Sequence, residues 1–183
     1  MKNLFPLFLL VLLFAACEDD ETMTPDPYEA ELQLEIVTGI NVRDTNGSPI
    51  GSYGNPNVFS GEVDFYPNPA IGQANVIYFG GSGLSVKQYW IFSATKNTEY
   101  ADIDYNILLN NATYSPDEVA ALTVVQTNTV NLSNFALNLD NFPPGYYRIF
   151  YLMSDNTLLW DNIYVDPTAT DLNQLTSERS DDF

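Results

Sequence analysis

No histidine occurs in the 183 residues, and cysteine occurs once. The first absence removes the commonest general base, the Ser-His-Asp and Cys-His arrangements and most zinc sites. The second excludes an intramolecular disulfide, so a folded body must be held by its core alone. Basic side chains are also scarce, with six Lys and Arg against 24 Asp and Glu, for a net charge of −18. A chain of this sign repels nucleic acid and anionic lipid headgroups, so nucleic acid is excluded as a partner. No run of 10 to 15 residues keeps a helical period, which argues against a βαβ fold. The apolar run at 4–16 has 13 residues, short of the roughly 20 that span a bilayer.

That run nonetheless carries the strongest signal. Lys2 precedes it, and Ala15, Ala16 and the lone Cys17 close it. A basic start, an apolar stretch and a small-small-Cys exit read as a lipoprotein signal, cleaved before a cysteine whose thiol then carries lipid. An ordinary cleaved signal would explain the apolar run but not the placement of the one cysteine. Phe14 stands where Leu is usual in such signals. The expected partner is therefore a membrane, reached through an N-terminal lipid. Glu18, Asp19, Asp20 and Glu21 follow, then prolines at 25 and 27. Acidic residues and prolines with little apolar surface cannot pack a core, so 17–30 is expected to be a tether reaching at most about 45 Å. The resulting division is a signal at 1–16, a linker at 17–30, a β domain at 31–165 and a flexible tail at 166–183.

The body reads as strand throughout. Residues 31–36 alternate apolar with polar. Asn46-Gly47 marks a hairpin turn, for which both positions are expected at positive φ, and a loop is expected at 51–57. Strands are expected at 61–66, ended by Pro67-Asn68-Pro69, then at 73–79, 84–93 and 98–109. Ser115-Pro116-Asp117-Glu118 has the form of a helix start, with a capping serine, proline at the first position and Glu three residues on. Short strand-like runs follow at 122–126, 129–133 and 135–139. The last pair, 146–153 and 157–165, forms a hairpin turned at Asp155-Asn156. Seven to nine short strands predict an all-β, antiparallel, immunoglobulin-like sandwich.

Four stretches carry resemblances. Cys17 followed directly by acidic residues resembles the lipoprotein export signal of bacteria that use type IX secretion. That implies display on the outer face of the outer membrane. Val63-Asp64-Phe65-Tyr66-Pro67-Asn68-Pro69-Ala70 resembles the opening of type IX secretion C-terminal sorting domains. Residues 139–149, with Leu139, Phe142, Gly145 and Tyr147, resemble the stretch before the last hairpin of those domains, where Gly145 is expected to allow a sharp turn. The family consists of small immunoglobulin-like sandwiches, and the resemblance implies that fold for 61–165. The chain continues 18 residues further and its middle segment is longer, so it reads as a related sandwich and not as a working sorting tail. Residues 40–57 are similar to a lead-in found in uncharacterised lipoproteins of the same bacteria, which brings no function.

Candidate chemistry is sparse. Glu62 with Asp64, Asp102 with Asp104 and Asp117 with Glu118 are carboxylate pairs of the kind glycosidases use, yet solvated surface charge explains them better. The turns at Asp44–Ser48 and Ser154–Thr157 offer oxygen ligands without the spacing of a calcium loop. Tyr89, Trp90 and Trp160, with Tyr146 and Tyr147, lie on expected strands and would stack on sugars if they formed an exposed row; core packing is the alternative. No catalytic residue, cofactor or metal ligand is singled out. The function expected is non-catalytic, in adhesion, envelope structure or assembly with other surface proteins. The alternative is a carbohydrate-binding module that captures polysaccharide.

Overall fold

The computed structural model describes residues 36–58, 62–81, 83–99, 101–102 and 114–183. The signal, Cys17, the linker and all but the last residue of the strand expected at 31–36 lie outside the described residues. So does most of the strand expected at 98–109, whose described residues form a turn closed by Ala101 N–H on the Thr98 carbonyl.

Ten strands are described: β1 Ile36–Val37, β2 Gly39–Arg43, β3 Pro49–Gly54, β4 Val63–Ile71, β5 Gln73–Tyr78, β6 Val86–Lys96, β7 Gln126–Leu132, β8 Asn134–Asn138, β9 Gly145–Met153 and β10 Leu158–Val165. Two helices join them, α1 Pro116–Ala120 and α2 Leu172–Arg179, with a 3-10 turn at Ser180–Asp182.

Seven of the strands, β4 to β10, build the sandwich. One sheet runs β4–β5–β8 and the other β7–β6–β9–β10. Strand β4 belongs to both. Its first half pairs with β5, and its second half joins β10 in parallel at Ala70 and Val165. The chain visits the first sheet for two strands, the second for two, returns for β8 and closes with the β9–β10 hairpin. This is the connectivity of an immunoglobulin-like sandwich. Between the sheets lie Val63, Phe65, Val76, Phe135 and Leu137 from one side and Tyr89, Ile91, Ile149, Tyr151 and Ile163 from the other.

The two motifs that resemble the sorting domains have local physical roles. At Pro67 and Pro69 the ladder loses its donors. Asn68, fully buried between them, replaces those bonds with its side chain. Its amide nitrogen donates to the carbonyls of Asn41 and Asn162, and its oxygen accepts from Tyr164 N–H. One side chain thus stitches β4 to β2 and to β10 at the crossover. In the later motif, Leu139 and Phe142 are buried, and the Tyr147 hydroxyl donates back to the Pro143 carbonyl. This is the corner that immunoglobulin-like domains place at the start of this strand. Gly145 differs from expectation, since its φ is not positive and an added Cβ would meet only the Tyr147 ring at 4.0 Å.

Other expectations are corrected in detail. The hairpin between β2 and β3 is present, but only Gly47 has positive φ; Asn46 does not. Asp44 N–H bonds to the Ser48 carbonyl and Gly47 N–H to the Asp44 carbonyl, so a longer turn with one left-handed glycine replaces the two-residue form. Strand β3 extends to Gly54, shortening the loop expected at 51–57. Residues 122–125 precede β7 and are not a strand. Helix α1 is as short as expected, with the Ser115 and Glu118 capping box formed.

The largest correction concerns 166–183, which is not a loose tail. Asp171 caps α2, Leu175 is buried, and Phe183 packs edge-on against Tyr146 at 5.4 Å. Leu175 joins Val37, Ile40, Val42 and Tyr164 in a cluster on the outer face of the β6–β9–β10 sheet. At the other end of that face, Trp90, Phe92, Phe150, Leu152 and Trp160 pack with Tyr114 and with Val119 of α1. Both faces of this sheet are therefore covered, whereas among the described residues no buried cluster forms on the outer face of β4–β5–β8, where the β2–β3 turn meets only Tyr66 and Asp64 of β4.

Candidate functional site

The aromatic residues proposed from sequence do not form a platform. Tyr89 is 3% exposed, Trp90 6% and Trp160 2%. Alternation does send them to opposite faces of one sheet, as expected. Because both faces are covered, each ring ends in a core. Tyr89 stacks on Phe135 at 5.6 Å, and its hydroxyl accepts from the Gln126 amide. Trp160 tilts against Tyr114 at 5.1 Å and donates its indole N–H to the Asn57 carbonyl. Tyr147 is buried and Tyr146 half-buried against Tyr164 and Phe183.

The carboxylate pairs are also dispersed. Asp64 pairs with Arg43 at 2.6 Å while Glu62 takes a long contact from the Tyr78 hydroxyl at 3.4 Å. Glu118 belongs to the helix cap. Asp104 lies outside the described residues. In the first turn the Asp44 carboxylate accepts from Asn46 and Ser48 N–H, and in the second Asp155 accepts from Thr157 N–H. Both groups therefore serve turn geometry. Among the described residues no three Asp, Glu or Cys side chains gather as a metal would need.

Three polar constellations emerge instead. In the first, Arg43 reaches from β2 to Asp64 on β4 and, at 3.4 Å, to Asp161 on β10. Asp161 faces the inter-sheet side, opposite Ile149 in the β9 register, beside the buried Tyr151. Burial pushes its carboxyl up to about 7, against the pull of the Arg43 guanidinium and a hydrogen bond from Asn162 N–H. The desolvation of a buried carboxylate outweighs one partner at 3.4 Å. Among the described residues the Tyr151 hydroxyl has no hydrogen-bond partner.

The second constellation lies on the outer face of the same sheet. Arg148 is fully buried and donates to the Asn162 side-chain oxygen and to the Ile36 carbonyl. The Asn162 amide donates to the carbonyls of Gly39 and Pro56. These contacts fasten the N-terminal strands to the sandwich. The third centres on Asp182. Burial pushes its carboxyl up, but bonds from Tyr146 and Lys96 and the charges of Arg179 and Lys96 outweigh that and hold it below the ordinary range.

A shallow pocket of about 190 Å³ lies beside α2, lined by Asp166, Thr168, Asp171, Gln174, Leu175 and Glu178. Its acids are engaged locally. Asp166 accepts from Thr168, and Asp171 caps the helix.

Sequence reasoning passed over Asn68, Arg148, Asp161 and Asn162. For Arg148, Asp161 and Asn162 the signal was present in the last hairpin, where polar residues interrupt strands that are apolar on both faces. A polar group in such a strand requires partners inside the protein.

No family model matches the sequence, and no curated protein is similar to it. Among solved structures, a protein from Bacteroides vulgatus described as a DUF3244 family protein with an immunoglobulin-like β-sandwich fold aligns over 57% of this chain and 85% of its own. The identity is 9% and the TM-score 0.34.

Proposed function

We propose that this chain is a lipid-anchored, non-catalytic protein displayed on the outer face of the outer membrane, where its sandwich serves adhesion, envelope structure or assembly with other surface proteins. The observation that carries the reading is Cys17, the lone cysteine, set after a 13-residue apolar run and before four acids. A diacylglyceryl group on that sulfur would hold the protein firmly, because two chains bind a bilayer far more stably than one. The non-catalytic part is supported by what the polar groups already do. Asp64, Asp161 and Asp182 are tied to Arg43, Lys96, Arg179 or Tyr146, and Glu118 to a helix cap. The polysaccharide-capture reading loses its stacking rings, since Tyr89, Trp90 and Trp160 lie in the cores.

The test is metabolic labelling with an alkyne fatty acid, followed by protease treatment of intact cells. The wild-type chain should take up label and be cut by external protease. Cys17→Ser should accumulate as an unlabelled precursor. A wild-type chain without label would end the anchor, and a labelled chain protected in intact cells would end surface display.

A further inference from the structure

We infer that strand β8 pairs edge to edge with β8 of a second copy of this chain, antiparallel about a two-fold axis at Ala136. The inference rests on the assembly role proposed above, but not on the lipid.

The backbone supplies the first reason. Strand β8 pairs with β5 alone among the described residues. Tyr78 N–H bonds to the Ser133 carbonyl and Leu139 N–H to that of Gly72. In an antiparallel ladder such pairs recur every second residue. The main chains of 133, 135, 137 and 139 therefore turn to β5, and those of Asn134, Ala136 and Asn138 turn to the open edge. Unpaired N–H and C=O groups in a row are a template for another strand.

Charge selects the occupant. With 24 acids in the chain, two copies repel wherever carboxylates face one another. Residues 119–139 contain no charged side chain, although Glu118 and Asp140 bracket them. The neighbouring β5 lies within another uncharged stretch, 65–86. Here a second copy can approach without opposed carboxylates. Natural edges are usually guarded by Lys, Pro or inward charge, and β8 has none of these. Its side chains are also self-complementary. About Ala136, Asn134 of one copy meets Asn138 of the other, and amides both donate and accept. Val125 and Leu132, 44% and 51% exposed, lie in the same uncharged stretch. Two other exposed edges lie in uncharged stretches: β3 begins at Pro49, a guard of the usual kind, and β7 departs from regular pairing where Asn131 takes φ of 52°, as bulged edges do to deter pairing.

Disulfide trapping tests the pairing in full-length chain in the membrane. Facing Ala136 residues of a hydrogen-bonded pair would stand about 5.5 Å apart at Cα, inside disulfide range. Under mild oxidation, Ala136→Cys should yield a species of twice the monomer mass that reductant returns to monomer. Ser52→Cys, on the exposed edge of β3, should stay monomeric. Adding Asn134→Asp to Ala136→Cys puts carboxylates into the pairing and should abolish most of the dimer while the circular dichroism spectrum is unchanged. Failure of Ala136→Cys to dimerise, dimerisation of Ser52→Cys to the same extent, or indifference to Asn134→Asp would each overturn the pairing. Fatty-acid labelling of the same samples reports on the anchor separately.

Discussion

Asp161 is the residue whose environment and chemistry disagree most. Its folded carboxyl titrates at about 7 because burial disfavours the charge, while an unfolded aspartate titrates near 4. Between those values the folded state holds the extra proton, so stability falls as pH rises from about 4 to about 7 and is level above. Replacing Asp161 with Asn removes that slope. Chemical denaturation of the two proteins should show wild type losing stability relative to the variant across this window, and parallel curves would contradict it. Removing the partner acts in the opposite direction. At pH 8, Arg43→Ala forces the buried Asp161 carboxyl either to keep its charge without a cation or to take up a proton, and should destabilise by about 3 kcal/mol. Trp160→Ala should cost about 3 to 5 kcal/mol in unfolding free energy, as for a large side chain removed from a core. A cost near zero would indicate a ring lying on the surface.

At the scale of elements, the two sheets were legible and their coverings were not. Alternation in 146–153 and 157–165 marked the last hairpin, and Asn156 does turn it with φ of 70°. The helix start at Ser115 was equally plain, because capping chemistry is local. What alternation could not supply was the fate of the second face. Phe150, Leu152, Leu158 and Trp160 share one side of that hairpin, and an apolar second side signals a covered sheet. The cover itself comes from segments distant in sequence, Tyr114 and α1 over these residues and the strands at 36–54 with the helix at 172–179 at the other end of the face. Helix α2 offered little pattern, since Leu175 is its one buried residue and Leu172 its only other apolar side chain. Only contact with Val37, Ile40 and Tyr164 gives it a reason to form there. Leu175→Ala should therefore destabilise the whole protein by about 2 to 3 kcal/mol, and the backbone amide of Leu175 should be protected in hydrogen exchange. Rapid exchange through 172–179 would restore the picture of a loose tail.

At the scale of the whole molecule, the aromatic rings illustrate the limit of composition. Twelve Tyr, 11 Phe and two Trp suit either a sugar-binding face or a thick core, and only the third dimension separates them. In this fold the rings named from sequence face inward or under a cover, and among the described residues the edge of β8 is one accessible surface without acids. The proposed location rests on one local chemical feature, Cys17 with its flanks, and the proposed function depends on it. Mass spectrometry of the N-terminal fragment of membrane-extracted protein tests that most directly. The account predicts a chain beginning at Cys17 and heavier than its peptide by a diacylglyceryl group, with or without an acyl chain on the amine. A fragment of unmodified mass, whether it begins at Met1 or after cleavage elsewhere, would contradict it.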